Sequence, residues 1–297
     1  MTTALKKGIR RLGLTKVAKR VWKSFNYQYS FTLNGTRLRA LKLYGADTLE
    51  SEIWMGQVLR KLLQLQPEGT FVDVGVNVGQ TLMQLRSLDA ERPYVGFEPN
   101  PSCNMFTEEL IRINQFKNVK LIPVGLYNED SLMEMNLYYE EITNPGGSVV
   151  QDYWAYQNIK PYRTLVVPLM SVETVNKFIQ LENMSIVKID VEGAEMEVLD
   201  AMRTLIERDR PCILIEILSA HSTDNTIRYE RQQRVLDMLA SMNYTLHRII
   251  EAEDTSLRGL MTIDTLDPSF DSTQTNYLLV HADDATRVAG AFEQVQV

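Results

Sequence analysis

Cysteine and histidine are scarce in this chain, and the scarcity narrows its chemistry. Two cysteines, Cys103 and Cys212, stand far apart with no C-x-x-C pair, and only three histidines occur in 297 residues. A zinc site or a disulfide framework is therefore not expected, and Cys212, inside an apolar run, reads as core. No apolar run approaches the ~20 residues of a membrane helix, and no signal-peptide core precedes a small-residue cleavage site. The expected compartment is the cytoplasm. No G-x-G-x-x-G fingerprint, internal repeat or low-complexity linker occurs. Acidic residues are missing from residues 1–46, which carry eleven of the 31 Lys and Arg, so all 38 acids fall later.

What is present is an ordinary globular composition, 44% hydrophobic and 23% charged, enough for one sizeable core. The chain divides into a basic extension (1–46), a catalytic-size domain (47–285) and a short tail (286–297). Leu14, Val17, Ala18, Val21 and Phe25 recur at helical spacing among Lys16, Lys19, Arg20 and Lys23. Such a helix can lie on an anionic membrane face, attract an acidic substrate, or pack its stripe on the domain. Asn34-Gly35 between two alternating runs predicts a β-hairpin. A helix is expected from Asp47 to Leu63, with Glu50 and Glu52 near its start, placed to help close a ligand site, although the preference of the helix dipole for acids is the simpler account.

Three later stretches carry the chemistry. Phe71-Val-Asp-Val-Gly-Val-Asn-Val-Gly79 is a buried strand turning through Gly75, Asn77 and Gly79 into a helix. Backbone N–H groups and a helix N-terminus are thereby opened to a ligand. Asp73, just before the turn, can organise the loop or receive a cationic ligand group. Nineteen residues beyond Gly79, a second short strand ends in Glu98, placed to accept hydrogen bonds from both hydroxyls of a ribose. Third, Met184 to Asp190 is a strand whose C-terminal tip is a carboxylate, two residues before Glu192. Open α/β sheets place their ligands at such tips. Glu216 interrupts another apolar strand, so it must be paired or face a cleft. His221 follows in a polar loop.

The turn at Asp73 to Gly79, the acid Glu98 followed by Pro99 and Asn100, and Lys188-Ile-Asp-Val-Glu-Gly-Ala-Glu195 occur in this order. Together they resemble the FkbM-type S-adenosylmethionine-dependent methyltransferases over roughly residues 45 to 220. Val76 departs from the small residue usual there. The resemblance implies a Rossmann-like class I methyltransferase fold. Its features are a seven-stranded, mostly parallel sheet, an antiparallel last strand and helices on both faces. It implies S-adenosyl-L-methionine as cofactor, held by Asp73, Gly75, Asn77, Gly79, Glu98, Asn100 and Asp190, with Asn128 (or Asp130) at the adenine edge. Ser148, Tyr153 and Glu192 become the expected acceptor contacts, and Asp190, Glu216 and His221 the catalytic candidates. A divalent metal on Asp190 with Glu192 or Glu216 is a further option. The expected reaction is O-methylation of a hydroxyl on a sugar, glycan or secondary metabolite, with no nucleic-acid partner. A nicotinamide-dependent oxidoreductase stays open as an alternative, because Glu98 would serve a ribose there too. So does a non-catalytic cofactor-binding protein docked through its basic end.

Overall fold

Alternation with period two decides how the central strands are buried, and it is visible in the computed structural model. The structure describes residues 28–42, 49, 52–140, 146–267 and 275–295. The expected basic helix, Glu50, Asn144 and Pro145 lie outside the described residues. Strands β3 (Thr70–Val74), β4 (Tyr94–Phe97), β5 (Val119–Ile122), β9 (Met184–Ile189) and β10 (Cys212–Glu216) are parallel. Phe71, Tyr94, Ile186 and Leu214 enter the core on one face, and Val72, Val95, Val187 and Ile213 the core on the other. Burial on both faces is why these strands read as near-continuous apolar runs.

Spatial order across the sheet is β12–β11–β13–β10–β9–β3–β4–β5, where β11 is Tyr244–Glu251, β12 Leu257–Ile263 and β13 Asn276–His281. The last strand, β13, runs antiparallel to β10, and β11 runs antiparallel to β13. The seven expected strands are thus present. An eighth, β12, occupies part of what was expected as a polar connection and pairs antiparallel with β11. Chain direction across the sheet reverses between β3 and β9, so their C-terminal tips form the topological switch point.

Helices α1 (Ile53–Leu65), α2 (Gln80–Leu88), α3 (Pro101–Asn114), α4 (Val172–Asn176), α5 (Glu195–Asp209), α6 (Thr226–Ser241) and α7 (Ala285–Ala289) connect the strands. The described part of α1 starts at Ile53, later than the spacing suggested. The hairpin β1 (Gln28–Leu33) and β2 (Thr36–Leu41) turns at Asn34 and Gly35, φ +49° and +85°. It packs Phe31, Leu38 and Ala40 on Val78, Met83 and Leu110. A separate three-stranded sheet, β6 (Gly125–Leu126), β8 (Arg163–Met170) and β7 (Ser131–Leu137), clusters Met135, Val167 and Leu169 with Ala194. The segment expected as a tail is not separate: Val288 and Phe292 are buried in the main core. Among the described residues, no helix is long and apolar enough to cross a membrane.

Candidate active site

The turn after β3 is built by backbone conformations that side chains resist. Gly75, Asn77 and Gly79 hold φ of +89°, +48° and +85°. Gly75 and Val76 donate their N–H groups to the Phe97 carbonyl, at 2.9 and 3.2 Å. Glu98 then clamps the turn: Oε2 accepts from Asn77 N at 2.7 Å and Oε1 from Asn100 N at 2.8 Å. Burial raises the Glu98 carboxyl to about 7, although both hydrogen bonds favour its charged form. Asn100 caps α3, its Oδ1 accepting from Ser102 N at 2.9 Å, ahead of Pro101 at the first helical position. Ser102, which the turn sequence suggests as the cap, is the donor instead. Asn100 also lines the cavity, and its Nδ2 is a buried donor with no hydrogen-bond partner among the described residues.

Asp73 is wholly buried and accepts from Tyr94 Oη at 2.6 Å. It does not line the cavity, and its bond runs to β4 and not to the turn that follows it. Burial pushes its carboxyl up to about 6, against the pull of Lys188.

At the tip of β9 the site changes character. Asp190 N donates to the Val74 carbonyl at 2.9 Å, locking the two tips together. A Cβ at Gly75 would stand 1.8 Å from the Asp190 carbonyl oxygen. Gly75 is therefore required by this strand-to-strand approach, before any ligand is considered. Burial opposes the charge of Asp190. Lys188 Nζ at 2.8 Å and a hydrogen bond with Glu216 outweigh it and hold the carboxyl below its ordinary value. Glu216 is pushed well above, by burial and by the Asp190 charge, so the shared proton belongs to Glu216. Thr275 Oγ1 donates to Glu216 Oε1 at 2.8 Å. Glu192 is raised too, by burial and then by Glu216 and Asp190, and its Oε2 is enclosed with no hydrogen-bond partner among the described residues. Asp190, Glu192 and Glu216 each bring one oxygen within 4.8 Å of the others.

Ser148 and Tyr153, expected as acceptor contacts, stand behind this turn and not in the cavity. Ser148 Oγ donates to the Glu192 carbonyl at 2.6 Å, and the serine is fully buried. The Tyr153 ring would lie 2.6 Å from a Cβ at Gly193, and Arg228 stacks on it at 4.4 Å. Both residues buttress the backbone of Glu192 and Gly193. Asn128 also misses the cavity: β6 leaves the main sheet to pair with β8, and Asn128 ends in a shallow surface depression beside Met196 and Glu197. Its alternative, Asp130, accepts from Ser171 N at 2.8 Å and Thr174 Oγ1 at 2.6 Å and ties down the start of α4. His221 adopts φ +63°, its Nε2 lies 3.0 Å from Gln157 Nε2, and it does not line the cavity.

The cavity itself measures about 220 Å³ and runs along the switch point. Following the strand order, its lining passes from Glu98 and Asn100 after β4 to Asp190, Glu192 and Glu216 at the tips of β9 and β10, and Tyr127, Lys188 and Glu52 also line it. Of these, Lys188 and Tyr127 were not among the candidates, and Glu52 was expected only as one of two acids near a helix start that could help close the site. A lysine inside an otherwise apolar strand was the available signal for Lys188; Glu52 gave none beyond standing near a helix start.

Strand order, the antiparallel β13 and a polar cleft at the switch point define a class I methyltransferase fold. The family follows from the sequence comparison: the Methyltransferase FkbM domain matches residues 73–246, more than half the chain, which belongs to that family. "Methyltransferase 1" of Beauveria bassiana (strain ARSEF 2860) is 25% identical over 145 residues, 45% of this chain and 58% of that protein. The crystal structure of methyltransferase FkbM from Methylobacillus flagellatus KT aligns over 72% of this chain and 44% of its own, at 12% identity and TM-score 0.41. The O-methyltransferase from Bacillus cereus in complex with SAH aligns over 75% and 78%, at 13% identity and TM-score 0.42. The chain spans less than two thirds of the length of the first two.

Proposed function

We propose that this protein transfers a methyl group from S-adenosylmethionine to a hydroxyl on a sugar, glycan or secondary metabolite. The observation that carries the reading is one cavity with Glu98 and Asn100 at one end and the Asp190–Glu216 pair at the other. The cradle suits the cofactor: a carboxylate that can accept from ribose hydroxyls, an unpaired buried Asn100 donor, and a glycine turn that leaves backbone exposed. When bound, S-adenosylmethionine supplies an electrophilic methyl on a positively charged sulfur. Asp190, kept ionised by Lys188, can accept the hydrogen bond of an acceptor hydroxyl and take its proton as the new oxygen–carbon bond forms. The sulfur–methyl electron pair stays with sulfur. Glu216, holding its proton, donates to Asp190 and fixes its orientation.

Calorimetry with S-adenosylmethionine and NADH tests the cofactor; binding of NADH alone would replace this reading with the oxidoreductase. Methyl transfer to a panel of sugars and alcohols then tests the base. Asp190→Asn should lower turnover about 100-fold or more while cofactor affinity moves less than about 3-fold. Near-wild-type turnover in that variant removes Asp190 from the chemistry. The closeness of the three carboxylate oxygens favours a second reading, a divalent cation on Asp190, Glu192 and Glu216. Activity lost to a chelator and restored by Mg²⁺ would select it.

A further inference from the structure

We infer that Glu52 anchors the α-ammonium group of the cofactor's amino-acid tail, making the protein discriminate against adenosine thioethers that lack it. This deepens the S-adenosylmethionine reading and rests on it.

Glu52 stands immediately before α1, at the N-cap position, where an acid ordinarily serves the helix. Here it does not: its side chain makes no capping hydrogen bond. The carboxylate lines the cavity instead. The backbone around it is fixed. The Glu52 carbonyl accepts from Gln84 Nε2 at 3.0 Å, and Gln84 Oε1 accepts from Asn34 Nδ2 of the hairpin at 2.8 Å. The next residue but one, Trp54, donates its N–H to the Thr255 carbonyl at 2.9 Å. Bonds to α2 and to the loop before β12 thus fix the backbone that carries this carboxylate.

Its electrostatic surroundings are those of a site short of one cation. The charges that bear on it are Lys188, Asp190, Glu251 and Asp73, one positive against three negative. Lys188 is engaged with Asp190 at 2.8 Å. Burial, before any of these charges, pushes the Glu52 carboxyl up to about 7. An arriving ammonium would restore the balance and supply hydrogen-bond donors.

The shape of the wall says which ammonium. Glu52 is pinned against α2, and Gln80 and Thr81 from the first turn of that helix line the same cavity. Gly79 caps α2 in the left-handed conformation and, having no side chain, brings no capping acceptor to the positive helix end. An α-amino acid carries its ammonium and carboxylate on one carbon. A negative side chain docked beside a positive helix terminus fits that zwitterion. The ribose-binding acid, Glu98, lies along the same cavity, so adenosine and tail extend in one line from it.

Three ligands separate the tail from the rest of the cofactor: S-adenosylhomocysteine, its desamino analogue lacking only the ammonium, and 5′-methylthioadenosine lacking the whole tail. Calorimetric titration of the full chain and of Glu52→Gln with each gives a ligand-by-mutation comparison. Glu52→Gln should weaken S-adenosylhomocysteine binding by about 10- to 100-fold, the scale of a charge-assisted hydrogen bond, and the other two ligands by less than 2-fold. Glu52→Asp, which keeps charge but shortens reach, should fall between. Unchanged affinity for S-adenosylhomocysteine, or equal losses for all three ligands, would overturn the role of Glu52 alone. Failure of the unaltered protein to bind S-adenosylhomocysteine would overturn the cofactor reading beneath it.

Discussion

Two turns meet at the switch point, and they are held in opposite ways. The turn after β3 is held by neutral donors: Glu98 takes one backbone N–H on each oxygen, from Asn77 and Asn100. The turn after β9 is held by charge, with Lys188, Asp190, Glu192 and Glu216 crowded together and one Glu192 oxygen unpartnered. The first arrangement is finished before a ligand arrives. The second leaves repulsion that a reacting partner can relieve, and pre-set carboxylates of unequal basicity are what proton transfer requires. One end of the cleft recognises; the other reacts.

The comparison breaks most severely at the point where the turns touch. Gly75→Val should unfold or destabilise the domain by about 3 kcal/mol or more, because the side chain meets the Asp190 carbonyl at a backbone conformation valine resists. Chemical denaturation measures this; normal stability with weak cofactor binding would mean that the glycine serves only the ligand. A subtler break lies in Glu98. Its folded-state carboxyl titrates near 7, above its ordinary value of 4.5. Its contribution to stability is therefore complete below pH 4.5 and is lost as pH rises through 7. Between pH 5 and 8 the ligand-free protein should lose more stability than Glu98→Gln does, by up to about 3 kcal/mol. Parallel pH profiles would show that burial of this acid is relieved. The smallest effect is expected at His221: replacement by Ala should leave turnover within about 3-fold, since the reacting end is complete without it. A loss of 100-fold would bring the histidine back as the base.

Much of this was legible in the sequence, and what was not has a physical cause. The tips of β3, β4 and β9 could be read because buried parallel strands are near-continuously apolar, and a carboxylate or glycine ending one has few bland explanations. The cap of α3 was read as Ser102 and is Asn100; Pro101, which favours the first helical position, was the signal passed over. Asn128 was misplaced because β6 changes sheets at Gly125, a choice made by its pairing with Leu169 and invisible in local pattern. Ser148 and Tyr153 are polar and aromatic as ligand contacts often are. Whether such a group faces a cavity or the back of a turn depends on the Glu192–Gly193 backbone, set by residues far along the chain. Glu52 is carried to the cleft by the Gln84 bond to its carbonyl and by the Thr255 bond to Trp54, contacts no spacing rule anticipates.

The eighth strand has a consequence for how these molecules behave toward each other. Residues after Phe292 run beside β12: Leu260 N donates to the Glu293 carbonyl and Val295 N to the Leu260 carbonyl, both at 2.8 Å. A bare outer strand would offer its unpaired amides as a template for a neighbouring molecule. Here the chain's own end occupies Leu260 on that template, so aggregation by strand addition is blocked at the middle of β12.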